Sequence, residues 1–327
     1  MTKISIIVAV YNGEKYLQKC LDSLYCQTYK DIEIICINDA STDNSANIIK
    51  AQMQKDNRIK LIEHSVNKGP AKAWNSAIRI ASGEVIGYLD CDDWYDEDTI
   101  EKLMAVFNSH EDADCVLYRC IQVDSKGNRK DYSGRLFDSL DGKEAFLESL
   151  HWGIHGVYAA RAELFKQFPI DETRRHFSCD NTTRIHYYKS RKVYQSSAPY
   201  YYLSNPDSIS NQISISRMDY LAATQSMKSQ LIKLRVDEYI LRKYEFERVK
   251  VLVDCYLFYY KHRKEWSREQ REYCLTELKE DWKSIDSSLL STRQLLKFGF
   301  CPCSFSWNLF RLQEEIYFML KDFVGKL

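Results

Sequence analysis

The chain has 327 residues, of which 45% are apolar and 28% are charged. This length exceeds a single core of ~100 to 200 residues, so we expect one large domain with an appendage, or two domains. The composition excludes a disordered or collagen-like protein, and the equal numbers of basic and acidic residues, 46 each, exclude a global field that would attract nucleic acid.

The first third of the chain alternates between apolar strands and amphipathic helices. Residues 4–10 form a near-continuous β-branched run, as expected of a parallel strand buried on both faces. Strands are predicted at residues 4–10, 32–38, 59–63 and 85–89. Helices are predicted at residues 14–24, 45–54, 71–81 and 98–109. This alternation predicts an α/β fold with a doubly wound, mostly parallel sheet.

The regular alternation ends near Asp114. Two strand-like stretches, 115–118 and 121–123, precede a turn at 125–128 that predicts a hairpin. Residues 155–212 mix short strands and helices, and from about Ser214 the chain is predicted to be helical. We therefore predict an α/β domain at 1–212 and an α-helical C-terminal region at 213–327.

The cysteines and the N-terminal sequence indicate the cellular compartment of the protein. The eleven cysteines are an odd set with no CxxC pair, which favours free thiols in a reducing compartment. The opening residues contain too short an apolar run for a secretory signal or a membrane span. The prediction is a cytoplasmic protein, with peripheral contact at the inner face of the membrane as an option.

The strongest chemical signal is the run Tyr88 to Trp94, which places Asp90, Asp92 and Asp93 directly after an apolar strand. Carboxylates are costly in a core, and ligands of open α/β sheets bind outside the carboxyl ends of the strands. Clustered hard oxygens favour Mg²⁺ or Mn²⁺ with coordination positions left for phosphate oxygens. The alternative interpretation is an acidic turn that caps the helix beginning near Asp98.

A second polar segment, residues 37–43, also follows an apolar strand. Asp39 is predicted to face the same crevice, where its carboxylate could accept hydrogen bonds from a nucleobase or ribose. Alternatively, Ser41, Thr42 and Asp43 cap the next helix, and both interpretations can hold together.

Taken together, four motifs resemble family 2 glycosyltransferases in order and spacing. They are Val8-Ala9-Val10-Tyr11-Asn12, the Asn-Asp-x-Ser-Thr-Asp stretch from Asn38, Asn67-Lys68-Gly69, and Asp90-Cys91-Asp92-Asp93. The resemblance covers residues 3 to 125. It implies a GT-A fold with a Rossmann-like nucleotide-binding half, a nucleoside-diphosphate sugar donor with UDP favoured, Mg²⁺ or Mn²⁺, and inversion at the anomeric carbon.

The resemblance also implies roles for individual residues. Asp39 would contact the base, Asp90 the ribose or the metal, and Asp92 the metal, while Asp93 could substitute for either of the last two. Ala9, Tyr11 and Asn67 stand in the matching motifs and are predicted to contact the nucleotide sugar.

Two positions depart from the family pattern. The chain has Asn38-Asp39 in place of two aspartates, and Trp74 in place of an arginine before Asn75. The helical spacing of Trp74 with Ala71, Ala77 and Ile78 favours a core residue over a stacking platform.

An inverting transfer needs a base, and the family places an acidic pair late in the catalytic domain. Asp180 is the candidate, with Cys179 in the usual Glu position. The alternative is a helix N-cap, and Asp171 and Glu172 are the other candidates for the base.

Several aromatic and histidine residues have weaker signals. His151, Trp152 and His155 could line an acceptor cleft or be structural. His176 and His186 are more consistent with surface or core histidines than with metal ligands.

Two other functions were weighed against glycosyl transfer. A sugar-nucleotide nucleotidyltransferase would carry a Gly-rich basic loop after the first strand, where this chain has Tyr11-Asn12-Gly13-Glu14. A non-catalytic carbohydrate- or lipid-binding relative is the other hypothesis. The acceptor is expected to be a saccharide or a lipid-linked glycan of surface polysaccharide synthesis. The aromatic helical tail is predicted to contact a membrane, to pack on the catalytic domain or to pack on a second copy in a homodimer.

Overall fold

The computed structural model describes residues 2–175, 177–205, 213–295 and 306–323. These residues form two compact units. The first comprises the described part of 1–175 and 182–212, and the second the described part of 176–181 and 213–327. The functional assignment of 1–212 and 213–327 stays a prediction, and the short segment 177–181 groups with the helical unit.

The first unit is built on a mixed sheet of ten strands in the described residues. The strands are β1 Ile4–Val10, β2 Ile32–Asn38, β3 Ile59–Glu63, β4 Val85–Tyr88, β5 Trp94–Tyr95, β6 Ala113–Val123, β7 Arg129–Asp131, β8 Ser139–Asp141, β9 Tyr158–Arg161 and β10 Lys192–Leu203. The helices are α1 Glu14–Tyr25, α2 Ser45–Met53, α3 Pro70–Ile78, α4 Thr99–Ser109, α5 Gly142–Leu150, α6 Ala162–Gln167 and α7 Cys179–Lys189. The first three residues of α7 belong to the second unit.

The strand order is β3-β2-β1-β4-β9-β6-β10-β5, with β7 beside β6 and β8 beside β10. The four N-terminal strands pair in parallel, as do β6 and β10. The short strands β5, β7, β8 and β9 pair antiparallel with their neighbours. The predicted α/β fold with a mostly parallel sheet is confirmed.

Helices cover both faces of the N-terminal half of the sheet. Alternate residues of β1, beginning with Ile4 and Ile6, join the core cluster that contains Leu17 of α1, Ile49 of α2 and Leu103 of α4. The intervening β1 residues point to the other face because side chains alternate along a strand, and there α3 packs against β1 and β2. Burial on both faces explains why β1 and β2 read as continuous apolar runs.

The predicted pair of strands at 115–118 and 121–123 is wrong in detail. Residues 113–123 form one long strand, because β6 pairs with β10 along its whole length and with β9 over its first half. The predicted turn at 125–128 does close a hairpin, with β7 as its second strand.

The second unit is helical, as predicted. It contains α8 Asp219–Lys233, α9 Glu238–His262, α10 Arg268–Ser284, α11 Thr292–Leu295 and α12 Trp307–Phe323. Side-chain caps set several helix starts: Asp237 accepts from Ile240 N–H, and Ser267 and Gln270 form a capping box at α10.

Many rings of the tail pack inside this helical unit. Tyr256, Tyr259, Phe310 and Phe318 are buried in one cluster, whereas Phe298, Phe300 and Phe305 lie outside the described residues. The outward face of α12 carries exposed apolar side chains at Leu309, Leu312, Ile316, Met319, Leu320 and Phe323. Among the helices described, none combines the length and apolar character needed to cross a bilayer.

Candidate active site

The predicted site residues of the first unit lie along one edge of the sheet. Strands β1 to β4 run parallel, so their carboxyl ends share this edge. Ala9 lies near the end of β1 and is half-buried, and Tyr11, just beyond that strand, is half exposed. Both are positioned to face a ligand at this edge, and their predicted contact with the nucleotide sugar stays a prediction.

Hydrogen bonds join the loop after β1 to the loop after β2. Asn12 N–H donates to Ser41 Oγ at 3.0 Å, and Asn12 Oδ1 accepts from Thr42 N–H at 2.8 Å. Gly13 N–H donates to Ser45 Oγ at 2.9 Å. Ser41 and Thr42, which the sequence predicts as helix caps, therefore fix the position of the first loop together with Ser45.

Asp39 is buried and its carboxylate holds the loop after β3. It accepts from the N–H groups of Lys68 and Gly69, the shorter contact being 2.8 Å, and lies 2.7 Å from His64 Nδ1. These three donors occupy most of the lone pairs of a carboxylate. Asp39 thus has a structural task, and its predicted contact with the base stays a prediction.

His64 was not identified from the sequence. Its Nε2 atom lies 3.0 Å from Ser76 Oγ, so the imidazole bridges Asp39 and α3. A single histidine 25 positions from Asp39 gives no local signal of this contact.

Asn67 shapes the same loop. Its Oδ1 accepts from Gly69 N–H at 3.1 Å and from the Arg175 guanidinium. Gly69 has a φ of 87°, and a Cβ there would lie 3.1 Å from Arg175 Cγ, so both backbone and space favour glycine. Asn67 lies at the binding edge, and its contact with the nucleotide sugar stays a prediction.

Asp93 differs from its neighbours because its carboxylate has two donors. Tyr200 Oη donates at 2.7 Å and Leu203 N–H donates at 2.7 Å. The same Tyr200 oxygen accepts from Asp90 N–H at 3.2 Å. Asp93 therefore fastens the acidic loop, residues 89–93 after β4, to β10, and its predicted contact with the nucleotide sugar stays a prediction.

Asp90 and Asp92 are half-buried, and neither side chain has a hydrogen bond or ion pair recorded with any described residue. Burial, and then the Asp92 carboxylate, raise the pKa of Asp90 above its usual range. Burial, and then the Asp90 carboxylate, likewise raise the pKa of Asp93. Three carboxyl groups are thus gathered here, and no basic side chain of the described residues is recorded as pairing with any of them.

The chemistry of this pair fits a divalent cation. No group of three or more His, Cys, Asp or Glu side chains arranged for a metal occurs in the described part of the chain. Mg²⁺ often takes only one or two protein carboxylates together with substrate phosphates. Asp90 and Asp92 lie next to the end of β4 and have no recorded hydrogen-bond partner among the described residues. They could therefore supply the one or two protein carboxylates of such a magnesium site.

The loop after β1 and helix α1 pack closely against the acidic loop. A Cβ on Gly13 would lie 3.0 Å from Cys91 Sγ, so glycine lets the first loop pass next to the loop after β4. Cys20 Sγ of α1 lies 3.6 Å from the Asp90 carbonyl oxygen. These contacts hold in place the backbone that carries Asp90 and Asp92.

Asp180 is the second residue of α7 and belongs to the second unit. It is half-buried, and its charge contributes, after burial, to the raised pKa of Tyr220. The segment is anchored there by Asn181 Nδ2, which donates to the Ala223 carbonyl at 2.8 Å, and by Phe177, whose ring stacks on Tyr220 at 3.8 Å.

Glu172 and Asp171, the alternative candidates for the base, form hydrogen bonds within the first unit. Glu172 accepts from Asn75 Nδ2 at 2.6 Å, and Asp171 accepts from the Thr173 hydroxyl at 2.6 Å. Asp180 remains the predicted base.

The remaining predicted residues divide into buried and exposed groups. His186 lies between Tyr158 Oη and the Phe168 carbonyl, and burial lowers its pKa to about 4, which agrees with a core histidine. His155 is buried, Trp152 is half exposed, and Trp74 packs against Tyr88 with ring centroids 5.3 Å apart. The predicted His176 lies outside the described residues.

Comparison with known proteins identifies the same family. The description "Glycosyl transferase family 2" matches residues 5–168, half of the chain. The chain is 35% identical over 184 residues to Glycosyltransferase GlyA of Streptococcus pneumoniae, covering 53% of this chain and 25% of GlyA. It is 41% identical over 147 residues to GlyG of the same organism, covering 45% and 46%.

A third relative is the Poly(ribitol-phosphate) beta-glucosyltransferase of Bacillus spizizenii, 38% identical over 128 residues, which are 38% of this chain and 20% of the relative. The matched region therefore spans less than half the length of each of these three relatives.

Solved structures share the fold. S. aureus TarS 1-349 in complex with UDP superposes with a TM-score of 0.72 at 20% identity, covering 96% of this chain and 91% of that chain. Mannosyltransferase PcManGT from Pyrobaculum calidifontis, in complex with GDP-Man and Mn2+, gives 0.54 at 14% identity, covering 100% and 88%. With the family match over half of the sequence and its motifs gathered at one edge of a GT-A sheet, the chain belongs to glycosyl transferase family 2.

Proposed function

We propose that this protein is an inverting glycosyltransferase that moves a sugar from a nucleoside-diphosphate sugar to a saccharide or lipid-linked acceptor, in surface polysaccharide synthesis. The observation that carries the proposal is the pair Asp90 and Asp92, two carboxylates without recorded partners among the described residues at the binding edge of the sheet. Membership of the family supports the reaction type.

Asp90 and Asp92 would hold Mg²⁺ or Mn²⁺, which when bound neutralises charge on the departing diphosphate. The Mn2+ in the PcManGT complex supports a metal in this fold. Asp93 would keep the loop in place through Tyr200 and Leu203 and would not need to touch the ion.

The donor would bind along the loops after β1, β2 and β3. A UDP-sugar is favoured because TarS binds UDP and UDP-GlcNAc. Ala9, Tyr11 and Asn67 would contact the nucleotide sugar. Asp39 would act mainly by holding residues 64–69 in the shape that the donor meets, and its contact with the base or ribose would share the carboxylate with these hydrogen bonds.

Asp180 would serve as the base. The acceptor oxygen forms the new bond to the anomeric carbon while the bond from that carbon to the diphosphate oxygen breaks. The hydroxyl proton passes to the Asp180 carboxylate, and the electron pair leaves with the nucleoside diphosphate. Direct displacement of this kind inverts the anomeric centre.

The exposed apolar face of α12 is the element that supports a peripheral membrane contact or a homodimer. The two can be separated by vesicle co-sedimentation and by measuring mass in solution. Nucleotidyl transfer is disfavoured by the family match, and no observation favours a nucleic-acid partner.

The decisive experiment is hydrolysis of UDP-sugars with and without Mn²⁺, measured for the wild type and for Asp92→Ala. Loss of an interaction worth several kcal/mol predicts a fall of roughly 100-fold or more in metal-dependent hydrolysis. Glu97→Ala, an exposed carboxylate in the turn between β5 and α4, is the matched control and should retain wild-type hydrolysis. Near wild-type turnover of Asp92→Ala in Mn²⁺ would show that the metal assignment is wrong.

A further inference from the structure

A cavity of about 640 Å³ lies over the middle of β6 and β10 in the first unit. Residues 131–137 and 153–155 form its outer wall. Its volume is within the ~300–1,000 Å³ typical of small-molecule sites. None of the residues predicted to contact the nucleotide sugar or the metal lines it, so it is separate from the donor edge described above.

An irregularity in β10 helps to create this space. The register between β10 and β6 shifts between Gln195 and Pro199, so residues 196–198 leave the ladder. Ser196 Oγ donates to the Leu117 carbonyl at 2.8 Å and so satisfies one backbone group left over by the bulge. Bulges of this kind commonly redirect side chains beside functional sites.

The outer wall is held by its own hydrogen bonds. Tyr132 Oη donates to the Trp152 carbonyl at 2.7 Å, and Arg135 N–H donates to the Gly153 carbonyl at 2.6 Å. Arg135 also pairs with Glu144 and Glu148 at 2.9 Å. These contacts keep the wall segment away from the sheet, which leaves the cavity in place without a ligand.

The cavity is next to the edge at which the donor is proposed to bind. Strand β9 runs antiparallel to β4 and β6, so residues 153–155, which precede it, lie near the carboxyl end of β4 and near the middle of β6, where Tyr158 pairs with Leu117. Tyr88 at the end of β4 donates its hydroxyl hydrogen to the Gly156 carbonyl at 2.5 Å. The wall of the cavity and the acidic loop are therefore tied to the same strand end.

The charges around the cavity are balanced within the protein. Arg119 forms a bidentate pair with Asp131 at 2.7 and 2.8 Å, and Arg135 is paired with two glutamates. Burial lowers the pKa of His155 to about 4, so its imidazole is neutral near pH 7. A phosphate would have to displace these internal pairs, whereas a neutral ligand would not.

Polar groups without recorded partners among the described residues also line the cavity. They are the hydroxyls of Ser133 and Ser197 and the Nε2 amide of Gln195, whose Oε1 already accepts from Phe137 N–H at 3.1 Å. The Tyr132 ring adds an aromatic surface and meets His155 edge to face. Hydroxyls, an amide and an aromatic ring are the groups that bind polyhydroxylated rings.

We propose that this cavity binds the neutral, terminal sugar of the acceptor, through Ser133, Ser197 and Gln195 and the face of Tyr132. The proposal rests on the proposed function, since it names the acceptor side of that reaction. It excludes a phosphate group as the part recognised here, even when the whole acceptor carries phosphates elsewhere.

Ser197→Phe tests the proposal, because this exposed side chain makes no recorded contact in the described structure and a phenyl ring there would fill part of the cavity. Binding of methyl β-D-glucopyranoside and methyl N-acetyl-β-D-glucosaminide is measured by saturation-transfer NMR, with glycerol 1-phosphate as the charged comparator. We expect the wild type to bind at least one glycoside, and Ser197→Phe to bind it about tenfold more weakly, as the loss of one or two hydrogen bonds would give.

Ser125→Phe, at the exposed turn between β6 and β7, is the matched control, and melting curves and UDP titrations verify that both variants fold. Glycosides that fail to bind the wild type, equal binding to wild type and Ser197→Phe, or stronger binding of glycerol 1-phosphate would each overturn the proposal.

The experiments can contradict the proposed glycosyl transfer and the proposed sugar site in the cavity independently of each other. Glycoside binding that Ser197→Phe weakens, in a protein that never hydrolyses or transfers from a UDP-sugar, supports this cavity and contradicts the proposed reaction. Transfer with an acceptor KM that Ser197→Phe leaves unchanged supports the reaction and overturns the cavity assignment.

Discussion

The loops after β2 and β4 both place aspartates at the end of a buried parallel strand, yet they surround them differently. Asp39 has three donors from the protein, whereas Asp90 and Asp92 have none recorded among the described residues. Buried polar groups are normally satisfied. The number of internal donors therefore separates a carboxylate that holds a loop from one that can hold a cation.

Asp93 shows that the position of an aspartate in a motif does not decide whether it holds a loop or is available to a cation. It is three residues from Asp90, but its two oxygens are taken by Tyr200 and Leu203. Within one loop, two carboxylates have no recorded partner among the described residues and are proposed to hold a ligand, whereas the third maintains the loop's geometry.

The largest effect on stability is expected for Asp39→Ala. The change removes the Asp39 acceptor of the Lys68 N–H and of His64 Nδ1 and one of the two acceptors of the buried Gly69 N–H, and each group left unpaired costs roughly 1–3 kcal/mol. We expect a loss of about 3 kcal/mol in the free energy of unfolding, measured by urea denaturation. Asp92→Ala, which removes no recorded hydrogen bond, is the control. If the two variants were equally stable, the comparison between the loops would fail.

Asp180→Asn extends the comparison to a carboxylate whose proposed task is to take a proton. Loss of general-base catalysis should lower sugar transfer by about 100-fold, while the affinity for UDP stays at the wild-type level in an isothermal titration. Asp171→Asn is the control. Unchanged transfer, or lost nucleotide binding, would move the base to Asp171 or Glu172.

The smallest effect is expected for Asp90→Asn in metal-free protein. A carboxyl whose pKa is raised on folding binds more protons when folded, so its cost is absent below the unfolded value of ~4 and grows as the pH rises through the folded value. Removing that charge should raise the melting temperature at pH 8 by a few degrees and leave it unchanged near pH 4.

Glu97→Gln, in the turn between β5 and α4, should show no such pH dependence. Saturating Mn²⁺ should reverse the order at pH 8, because the wild type gains binding energy that Asp90→Asn loses. A melting difference that is the same at both pH values would contradict the raised pKa of Asp90, which burial causes first and the Asp92 carboxylate second.

The sequence was sufficient to predict the N-terminal half of the sheet because its signals are local. Strands β1 and β2 are continuous apolar runs, and the parallel order brings the residues after each strand to one edge. The positions of Asp39 and Asp90 at a common edge follow from that order alone.

The roles of individual carboxylates could not be predicted, because their partners are distant in the chain. Tyr200 lies 107 positions from Asp93, and His64 lies 25 from Asp39. The same limit applies to the cavity, because the shift in β10 depends on pairing with β6, and neither strand signals it by itself.

Residues 177–181 bear on how such a protein could be divided or recombined. This stretch carries the proposed base but rests on helix α8, through Asn181 and Ala223 and through the Phe177–Tyr220 stack. A chain shortened at residue 212 would keep Asp180 and lose the surface that orders it. An exchange of C-terminal regions between relatives would therefore have to transfer this stretch together with the helices, and a hybrid cut at the apparent boundary would inherit a base from one parent and its support from another.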